Sequence, residues 1–313
     1  MADSQDDTLA SGVYAALATP RRPNSIEAET GALLDYLDTV VRAGVDGLVL
    51  FGSTGEFVHF DTEERMRVLS LAIKRSRVPV LANVSHSTLA GAIDLAENAV
   101  DCGAAGLLLM PPYFYRYQEE QIYEFYLQFL RLLDDRVPVY LYNLPAYTNA
   151  LTPLLLDRLL TGGAFAGIKD SSADFNLLEH IRALRARHVF QLLVGSESLY
   201  LRGRKGGADG IVSGVAAALP ELMVALEHAI RESDMNRAES LNARLLEFVA
   251  YVDKFPATVA IKQAAVVRGW MPTPVPVPFD EDMAAEVIAF HHWFRSWLPG
   301  VLAECKKSGA VSA

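Results

Sequence analysis

Short apolar runs alternate along the chain with segments in which apolar residues recur every three or four positions. Each run is apolar at both odd and even positions, which is typical of a parallel strand buried on both faces. The intervening segments have the period of a helix with one buried face. The pattern predicts eight strands, at residues 13–18, 47–51, 79–84, 106–110, 138–142, 165–169, 192–195 and 210–213.

Residues that favour helix ends flank several of the helical segments. Asn24 and Glu27 have the three-residue spacing of a capping box, and Asp61 and Glu64 repeat it, so each pair predicts a helix start. The pair Thr152–Pro153 predicts another, because proline is favoured in the first helical turn.

The succession of strand–helix units predicts an α/β protein, a TIM (β/α)8 barrel with a C-terminal helical extension. Successive strands begin about 20–35 residues apart, enough for one crossover helix each. A doubly wound sheet usually carries a dinucleotide glycine loop, and the sequence contains none. We expect the barrel at residues 1–232 and a three-helix appendage at 233–313. The appendage is predicted to contain helices at 234–252, 258–269 and 281–302, and a proline-stiffened connector at 271–279.

Composition excludes several classes of protein without naming a reaction. With 28 Lys+Arg against 38 Asp+Glu, the net charge of −10 offers no electrostatic footprint for nucleic acid or an anionic membrane. Cys102 and Cys305 are too few and too far apart in the sequence to suggest a disulfide framework or a zinc site. No apolar run approaches the roughly 18 residues that span a bilayer. We therefore expect a cytoplasmic protein without a metal or a cofactor.

Lys169 is the first candidate for chemistry, because catalytic groups of a barrel come from the carboxyl ends of its strands. It shares parity with Phe165 and Gly167, and Gly167 is expected to leave space beside it. A lysine among apolar walls loses hydration, which disfavours its charged form. A neutral amine can form a Schiff base with a ketone. The alternative is a strand-end lysine paired with Asp170.

Two further groups are expected at the same end of the barrel. Tyr142 ends the preceding strand, so its phenol can lie beside Lys169 and shuttle protons, whereas Tyr140 is interpreted as a residue that fills the barrel. The loop at 52–56 offers the hydroxyls of Ser53 and Thr54 and backbone N–H groups, which can bind a carboxylate or a phosphate. The alternative for this loop is a simple turn.

The sequence indicates no specific chemistry for several other polar residues. Lys254 and Lys262 lie in the predicted C-terminal helices and are interpreted as solvated or packing residues. His86 follows strand 3 on the catalytic face, but a local hydrogen bond at a helix start explains it equally well.

Three motifs together resemble one known family. GSTGE at 52–56, YNLP at 142–145 and GIKDSS at 167–172 are similar to motifs of the dihydrodipicolinate synthase/N-acetylneuraminate lyase family of class I aldolases. The resemblance covers nearly the whole chain and implies a homotetramer that takes a 2-oxo acid (pyruvate) and an aldehyde as its small-molecule partners.

The resemblance also implies roles for individual residues. Lys169 would form the imine with pyruvate or another 2-oxo acid, and Tyr142 would transfer protons. Ser53 and Thr54 would hold the carboxylate and join the proton relay. Further substrate contacts are implied for Ser171, Ile211 and Val212.

Three departures from the family pattern separate this chain from the synthases. Tyr147 stands where the synthases carry an arginine that clamps the carboxylate of the aldehyde. Phe114, between Tyr113 and Tyr115, stands at the position of the relay tyrosine supplied by a neighbouring subunit. Residues 83–86 read Asn-Val-Ser-His instead of a glycine-threonine turn.

The expected function is that of a lyase or aldolase that cleaves or forms a 2-oxo, 3-deoxy sugar acid with pyruvate as one partner. The alternatives are a dehydratase with the same imine chemistry, a dihydrodipicolinate synthase-type condensation, which Tyr147 disfavours, and a non-catalytic oxo-acid-binding protein. Residues at the strand ends are candidates for binding the substrate, including its hydroxylated tail: Gly52, Gly55, Tyr147, Asn149, Ser171, Gly195, Ser196 and Glu197.

Overall fold

The computed structural model describes residues 9, 11–23, 25–134, 136–256, 258–272 and 278–306. Most of the predicted connector at 271–279 lies outside the described residues. No helix in the described ranges is long and apolar enough to cross a membrane.

Eight parallel strands close into a barrel in the described part of the chain, each paired with its neighbours in sequence and β8 with β1. The TIM-barrel prediction is therefore confirmed, and every predicted strand agrees with the observed one to within about two residues, because strands buried on both faces are unbroken apolar runs. The strands are Gly12–Ala16 (β1), Gly47–Leu50 (β2), Val80–Asn83 (β3), Gly106–Leu109 (β4), Val139–Asn143 (β5), Gly167–Asp170 (β6), Gln191–Val194 (β7) and Gly210–Ser213 (β8).

A helix follows each of these strands and covers the outside of the barrel. The barrel helices are Thr30–Arg42 (α1), Thr62–Arg75 (α2), Leu89–Asp101 (α3), Glu119–Leu133 (α4), Pro153–Leu160 (α5), Phe175–Leu184 (α6), Tyr200–Lys205 (α7) and Pro220–Arg231 (α8). Short 3₁₀ turns lie at Phe57–His59, Glu197–Leu199 and Val215–Ala217.

Two of the predicted helix starts agree with the structure. The Asp61 carboxylate accepts a hydrogen bond from the Glu64 N–H at 2.8 Å and caps α2. Thr152 caps α5 in the same way, with Pro153 in the first turn. Such caps typically contribute about 1 kcal/mol each, because they satisfy N–H groups without a partner inside the helix.

The predicted start of the first helix at 24–27 is wrong. Asn24 lies outside the described residues, and α1 begins at Thr30. An isolated antiparallel bridge between Arg21 and Ala28 keeps the preceding segment in a loop. The Glu64 carboxylate accepts the Ala28 N–H at 2.6 Å, so a contact between distant segments decides where this helix begins.

The helices after the barrel are Met235–Val252 (α9), Val259–Val267 (α10) and Glu281–Lys306 (α11), close to the predicted bounds. Both α9 and α11 pack on α8, and α10 packs on α11 and on the 3₁₀ turn after β8. Aromatic rings fill the space between α9 and α11: Phe248, Tyr251, Phe290, Trp293, Phe294 and Trp297. The C-terminal helices therefore share an apolar core of their own and contact α8 and the 3₁₀ turns after β7 and β8.

The expectation that Gly167 leaves space beside Lys169 is wrong, because the space beside Gly167 is filled by Tyr140 and Gln191 in the barrel interior. A Cβ at Gly167 would lie 2.9 Å from the Tyr140 ring and 2.4 Å from the Gln191 carbonyl oxygen. The fully buried Tyr140 fills the barrel as expected and donates a hydrogen bond to Gln191 Oε1 at 2.6 Å. The missing side chain of Gly167 thus makes room for a tyrosine ring on the neighbouring strand.

We predict that Gly167→Ala lowers the free energy of unfolding by about 1–3 kcal/mol, because the added methyl group overpacks the barrel interior. Urea denaturation followed by circular dichroism measures this loss. Gly31→Ala is the matched control, since Gly31 lies exposed in α1 with its nearest neighbour atom 3.4 Å from an added Cβ. That substitution should be neutral or stabilising, and equal losses in both variants would contradict the packing argument.

Candidate active site

A cavity of about 450 Å³ opens at the carboxyl ends of the barrel strands. Its wall combines residues that follow several strands with residues of the C-terminal helices. Of the residues predicted for the site, the cavity is lined by Ser53, Thr54, Tyr147, Lys169, Ser171, Gly195, Ser196, Glu197 and Val212. The C-terminal helices and the loop that joins them contribute Val249, Val252, Asp253, Thr258 and Ile261.

Lys169 and Tyr142 lie side by side because their strands are paired in register. The Cα atoms of Tyr142 on β5 and Lys169 on β6 are direct partners in the ladder. The Lys169 Nζ lies 3.8 Å from the centroid of the Tyr142 ring. Tyr142 is fully buried, and Lys169 is only 3 % exposed. The barrel therefore holds the Lys169 amine, which lines the cavity, against the phenol of Tyr142, which is buried behind it and does not line the cavity itself.

The alternative in which Lys169 pairs with Asp170 is wrong. Neighbouring residues of a strand point to opposite faces, so Asp170 faces away from the lysine. Its carboxylate accepts hydrogen bonds from Asn143 Nδ2 at 2.7 Å and from Ser172 Oγ at 2.8 Å. Burial raises the pKa of Asp170, and these hydrogen bonds oppose that shift.

The surroundings of Tyr142 favour its ionised form. Burial alone would raise its pKa, but the charge of Lys169 and hydrogen bonds with Lys169 and Ser53 outweigh burial, so the pKa of Tyr142 is lowered. The Ser53 Oγ lies 3.1 Å from the Tyr142 Oη. Serine, tyrosine and lysine thus form a connected polar set in which a proton can move between neighbouring groups.

Ser53 and Thr54 stand in the predicted loop after β2, while its two glycines have structural roles. A Cβ at Gly55 would lie 2.9 Å from the Phe51 backbone, and the Gly55 carbonyl accepts a hydrogen bond from Thr19 at 2.8 Å. Gly52 and Gly55 do not line the cavity. The two hydroxyl residues of the loop thus line the cavity, whereas its two glycines are buried.

Ser171 and Gly195 form one feature of the wall. A Cβ at Gly195 would lie 2.0 Å from the Ser171 Oγ, so the serine hydroxyl takes up the space that a side chain directly after β7 would need. Glu197 lines the same region, but its Oε1 accepts hydrogen bonds from Ser213 Oγ at 2.8 Å and from the Val215 N–H at 3.0 Å. Glu197 therefore also fixes the turn after β8.

Three further residues named from the sequence do not line the cavity. Ile211 is fully buried and faces away from the cavity that its neighbour Val212 lines. Asn149 is buried and holds the loop after β4, donating hydrogen bonds to the carbonyls of Pro112 and Tyr115. His86 accepts the Thr88 N–H at 3.1 Å, in agreement with the local alternative.

The sequence did not predict a buried ion pair that joins the loop at 52–56 to α10. Glu56 is the last residue of this loop and also lines the cavity, and its Oε2 is 2.9 Å from the Nζ of Lys262 on α10. Lys262 is 2 % exposed, so of its two interpretations, a solvated or a packing residue, the solvated one is wrong. The helical position of Lys262 carried no sign of a partner that lies about 200 residues earlier in the chain.

In the described ranges, no group of three or more His, Cys, Asp or Glu side chains could hold a metal ion.

Comparison with known proteins assigns this barrel to a family. The sequence pattern of the dihydrodipicolinate synthetase family matches residues 9–289. The chain belongs to this family. An uncharacterized DapA-like lyase of Halobacterium salinarum is 34% identical over 268 residues, 83% of this chain and 86% of that protein. The resemblance inferred from the three motifs is thus confirmed.

Two Escherichia coli K12 proteins extend the comparison. One, named probable 2-dehydro-3-deoxy-D-pentonate aldolase YjhH, is 32% identical over 241 residues, 74% of this chain and 78% of that protein. The other, YagE, a prophage protein of the dihydrodipicolinic acid synthase family, has a crystal structure in complex with pyruvate. It superposes with a TM-score of 0.83 at 26% identity, over 93% of this chain and 99% of YagE.

The rim of the cavity in this dihydrodipicolinate synthetase family member carries aromatic residues. Tyr147 lines the cavity and is 68 % exposed. Of the aromatic residues after β4, Tyr113 lines the cavity, whereas Phe114 has a φ of 81° and is 86 % exposed. Burial raises the pKa of Tyr113, opposed by the charge of Arg65. Tyr113 is therefore the phenol that this loop offers to the cavity from the same chain.

We predict that Lys169→Met raises the pKa of Tyr142, because burial is then no longer outweighed by the lysine charge. Tyrosinate absorbance during a pH titration measures the shift, with Tyr142→Phe as the reference that identifies this tyrosine. One tyrosine, Tyr142, should have a pKa below the ordinary value of 10.0 in the wild-type protein and no longer in Lys169→Met. Identical titrations of the two proteins would contradict the coupling.

Proposed function

We propose that the protein is a class I lyase that forms a Schiff base between Lys169 and a 2-oxo acid, with pyruvate as one partner of the reaction. The observation that carries the proposal is the buried Lys169 amine, 3.8 Å from the Tyr142 ring centroid at the wall of a cavity. Membership of the dihydrodipicolinate synthetase family supports it.

In the first step the Lys169 amine attacks C2 of the oxo acid. One amine proton passes to the former carbonyl oxygen to give a carbinolamine. The Tyr142 phenol then donates a second proton to the departing hydroxyl, which leaves as water while Tyr142 becomes a phenolate. The product is an iminium ion, which withdraws electrons from the carbon skeleton. Tyr142 is suited to this transfer because it contacts both Lys169 and Ser53.

In the cleavage direction, Tyr142 then removes the proton of the C4 hydroxyl. The C3–C4 bond breaks, its electron pair moves into the iminium, and an aldehyde leaves. The remaining enamine takes a proton at C3, and water hydrolyses the imine to release pyruvate and regenerate Lys169. The lowered pKa of Tyr142 makes its phenolate accessible as a base nearer to neutral pH.

The loop after β2 is proposed to hold the carboxylate of the oxo acid. Ser53 and Thr54 both line the cavity and offer hydroxyl and backbone N–H donors. An added Cβ at Gly214 would lie 3.0 Å from the Thr54 Oγ1, so glycine at this position preserves the orientation of the threonine. Val212 would contact the bound oxo acid from the side of β8.

The distal part of the cavity favours an uncharged, hydroxylated aldehyde. Among the described residues, no arginine lines the cavity, and Tyr147 stands at the position where the synthases have their clamp. A missing bidentate clamp disfavours condensation with an anionic aldehyde. The polar residues Ser171, Ser196 and Glu197 would instead bind the hydroxyls of a 2-oxo, 3-deoxy sugar acid, a substrate class in keeping with the name of the relative YjhH.

We predict that borohydride reduction in the presence of pyruvate adds the mass of a reduced pyruvate imine at Lys169. Peptide mass spectrometry locates the adduct, and Lys169→Ala should abolish it, since a methyl side chain cannot form an imine. Incubation with 2-oxo, 3-deoxy sugar acids should then release pyruvate. Formation of a dehydrated product without pyruvate would favour the dehydratase alternative, and no adduct would contradict the proposal.

We predict that Tyr142→Phe lowers kcat about 10²–10⁴-fold, because a group that transfers protons is lost. Steady-state kinetics with the substrate found above measures the effect. Tyr140→Phe is the matched control: it removes the hydroxyl of the neighbouring buried tyrosine, which bonds Gln191 inside the barrel. It should cost about 1 kcal/mol of stability and leave kcat unchanged. Equal losses of kcat would argue against a proton-transfer role for Tyr142.

We also propose that the protein assembles as a homotetramer. Phe114 and Tyr115 are 86 % and 66 % exposed, and their rings pack edge to face with centroids 5.0 Å apart. An exposed aromatic pair of this kind is typical of a surface that a second subunit covers. Light scattering coupled to gel filtration should give a tetramer for the wild type and a smaller species for the double variant Phe114→Ser/Tyr115→Ser.

A further inference from the structure

Glu56 ends the loop that begins with Gly52 and Ser53, and it is joined directly to Ser53. The Glu56 N–H donates a hydrogen bond to the Ser53 carbonyl at 3.0 Å. Its backbone has a φ of 55°, a conformation that side chains other than glycine, asparagine and aspartate rarely adopt. A glutamate in this conformation indicates that its side chain has contacts that hold it there.

Those contacts come from the C-terminal helices. The Glu56 Oε1 accepts a hydrogen bond from Thr258 Oγ1 at 2.6 Å, and its Oε2 accepts one from Lys262 Nζ at 2.9 Å. Thr258 and Lys262 are four residues apart and therefore lie on one face of the helix. The Nε of Arg21 lies 3.7 Å from the same carboxylate.

The ion pair is shielded from water, which makes it a stiff connection. The side chains of Glu56, Lys262 and Arg21 are 6 %, 2 % and 4 % exposed. Burial lowers the pKa of Lys262, and the Glu56 carboxylate opposes that shift. A charge left buried without its partner is strongly unfavourable, so Glu56 and the helix are held against each other.

A continuous path of contacts leads from this pair to the proposed reacting groups. Lys262 and Thr258 hold the Glu56 carboxylate, and the Glu56 N–H holds Ser53. The Ser53 Oγ is 3.1 Å from the Tyr142 Oη, and the Tyr142 ring packs against Lys169. Every link in this path is a hydrogen bond, an ion pair or a ring contact.

We propose that Glu56 is a positioning residue through which α10 fixes Ser53 at hydrogen-bond distance from Tyr142. The C-terminal helices then set the geometry of the reacting end of the cavity as well as lining it. The consequence for catalysis rests on the proposed function, whereas the effect on Tyr142 can be measured without any substrate.

The sign of a pKa change separates positioning from a simple field effect. Glu56→Ala removes a negative charge, and by its field alone this would lower the pKa of Tyr142. Loss of the Ser53 hydrogen bond would instead raise that pKa, since the bond favours the ionised phenol. Tyrosinate titration referenced to Tyr142→Phe should therefore give a raised pKa in Glu56→Ala.

Pyruvate binding supplies the second measurement. At a temperature where circular dichroism finds the variants folded, Glu56→Ala should need about tenfold more pyruvate for half-maximal borohydride trapping at Lys169. Thr258→Val, which changes no charge and disturbs folding less, should shift both readouts in the same direction by a smaller factor. Lys262→Arg retains the cation and should stay near the wild-type values.

Glu227→Ala is the matched control, because Glu227 is an equally buried carboxylate that bonds Arg204, Tyr200 and Arg231 between the outer helices. It should lower stability without moving either readout. The inference would be overturned by folded Glu56→Ala and Thr258→Val proteins with an unchanged or lowered pKa of Tyr142, or by equal shifts in Glu227→Ala. Failure of wild-type trapping would contradict the proposed function alone, since the titration still decides whether Glu56 positions Ser53.

Discussion

The register between β5 and β6 is the constraint on which the candidate site depends. It makes Tyr142 and Lys169 direct partners, and it makes Asn143 and Asp170 partners in the next position. The second pair is buried on the opposite face and joined by a hydrogen bond of 2.7 Å. Because the barrel is closed, neither strand can slip against its neighbour without moving the others. The amine and the phenol are thus held by the sheet and not by flexible loops.

The pairing also explains why two adjacent ionisable groups behave differently. Lys169 faces the cavity and its amine packs against the Tyr142 ring. Asp170 faces the helices, and its carboxylate accepts hydrogen bonds from an amide and a hydroxyl. A one-residue shift of register would exchange their faces. The alternation of a strand is therefore sufficient to keep a carboxylate from forming an ion pair with the proposed nucleophile.

Local sequence pattern predicted the barrel well because each strand is an apolar run and each cap acts within its own helix. Lys169, Tyr142, Ser53 and Thr54 could be predicted because they end strands, and strand ends meet at one face. Gly167 was misread, since the ring that needs its missing side chain belongs to the neighbouring strand. The predicted start of the first helix and the solvated interpretation of Lys262 were wrong for the same reason. The contacts that decide them, Ala28 with Glu64 and Lys262 with Glu56, join residues that are distant in sequence.

An acidic chain that is proposed to bind an anionic oxo acid needs local compensation for its net charge of −10. At the end of the loop at 52–56, the buried Glu56 carboxylate lies close to two cations, Lys262 at 2.9 Å and Arg21 at 3.7 Å. Buried charges are screened less than exposed ones, so the charges of Lys262 and Arg21 reach the loop, where they offset the Glu56 carboxylate. The loop would thus bind a carboxylate with its hydroxyl and N–H donors, while the two cations offset the negative charge of Glu56.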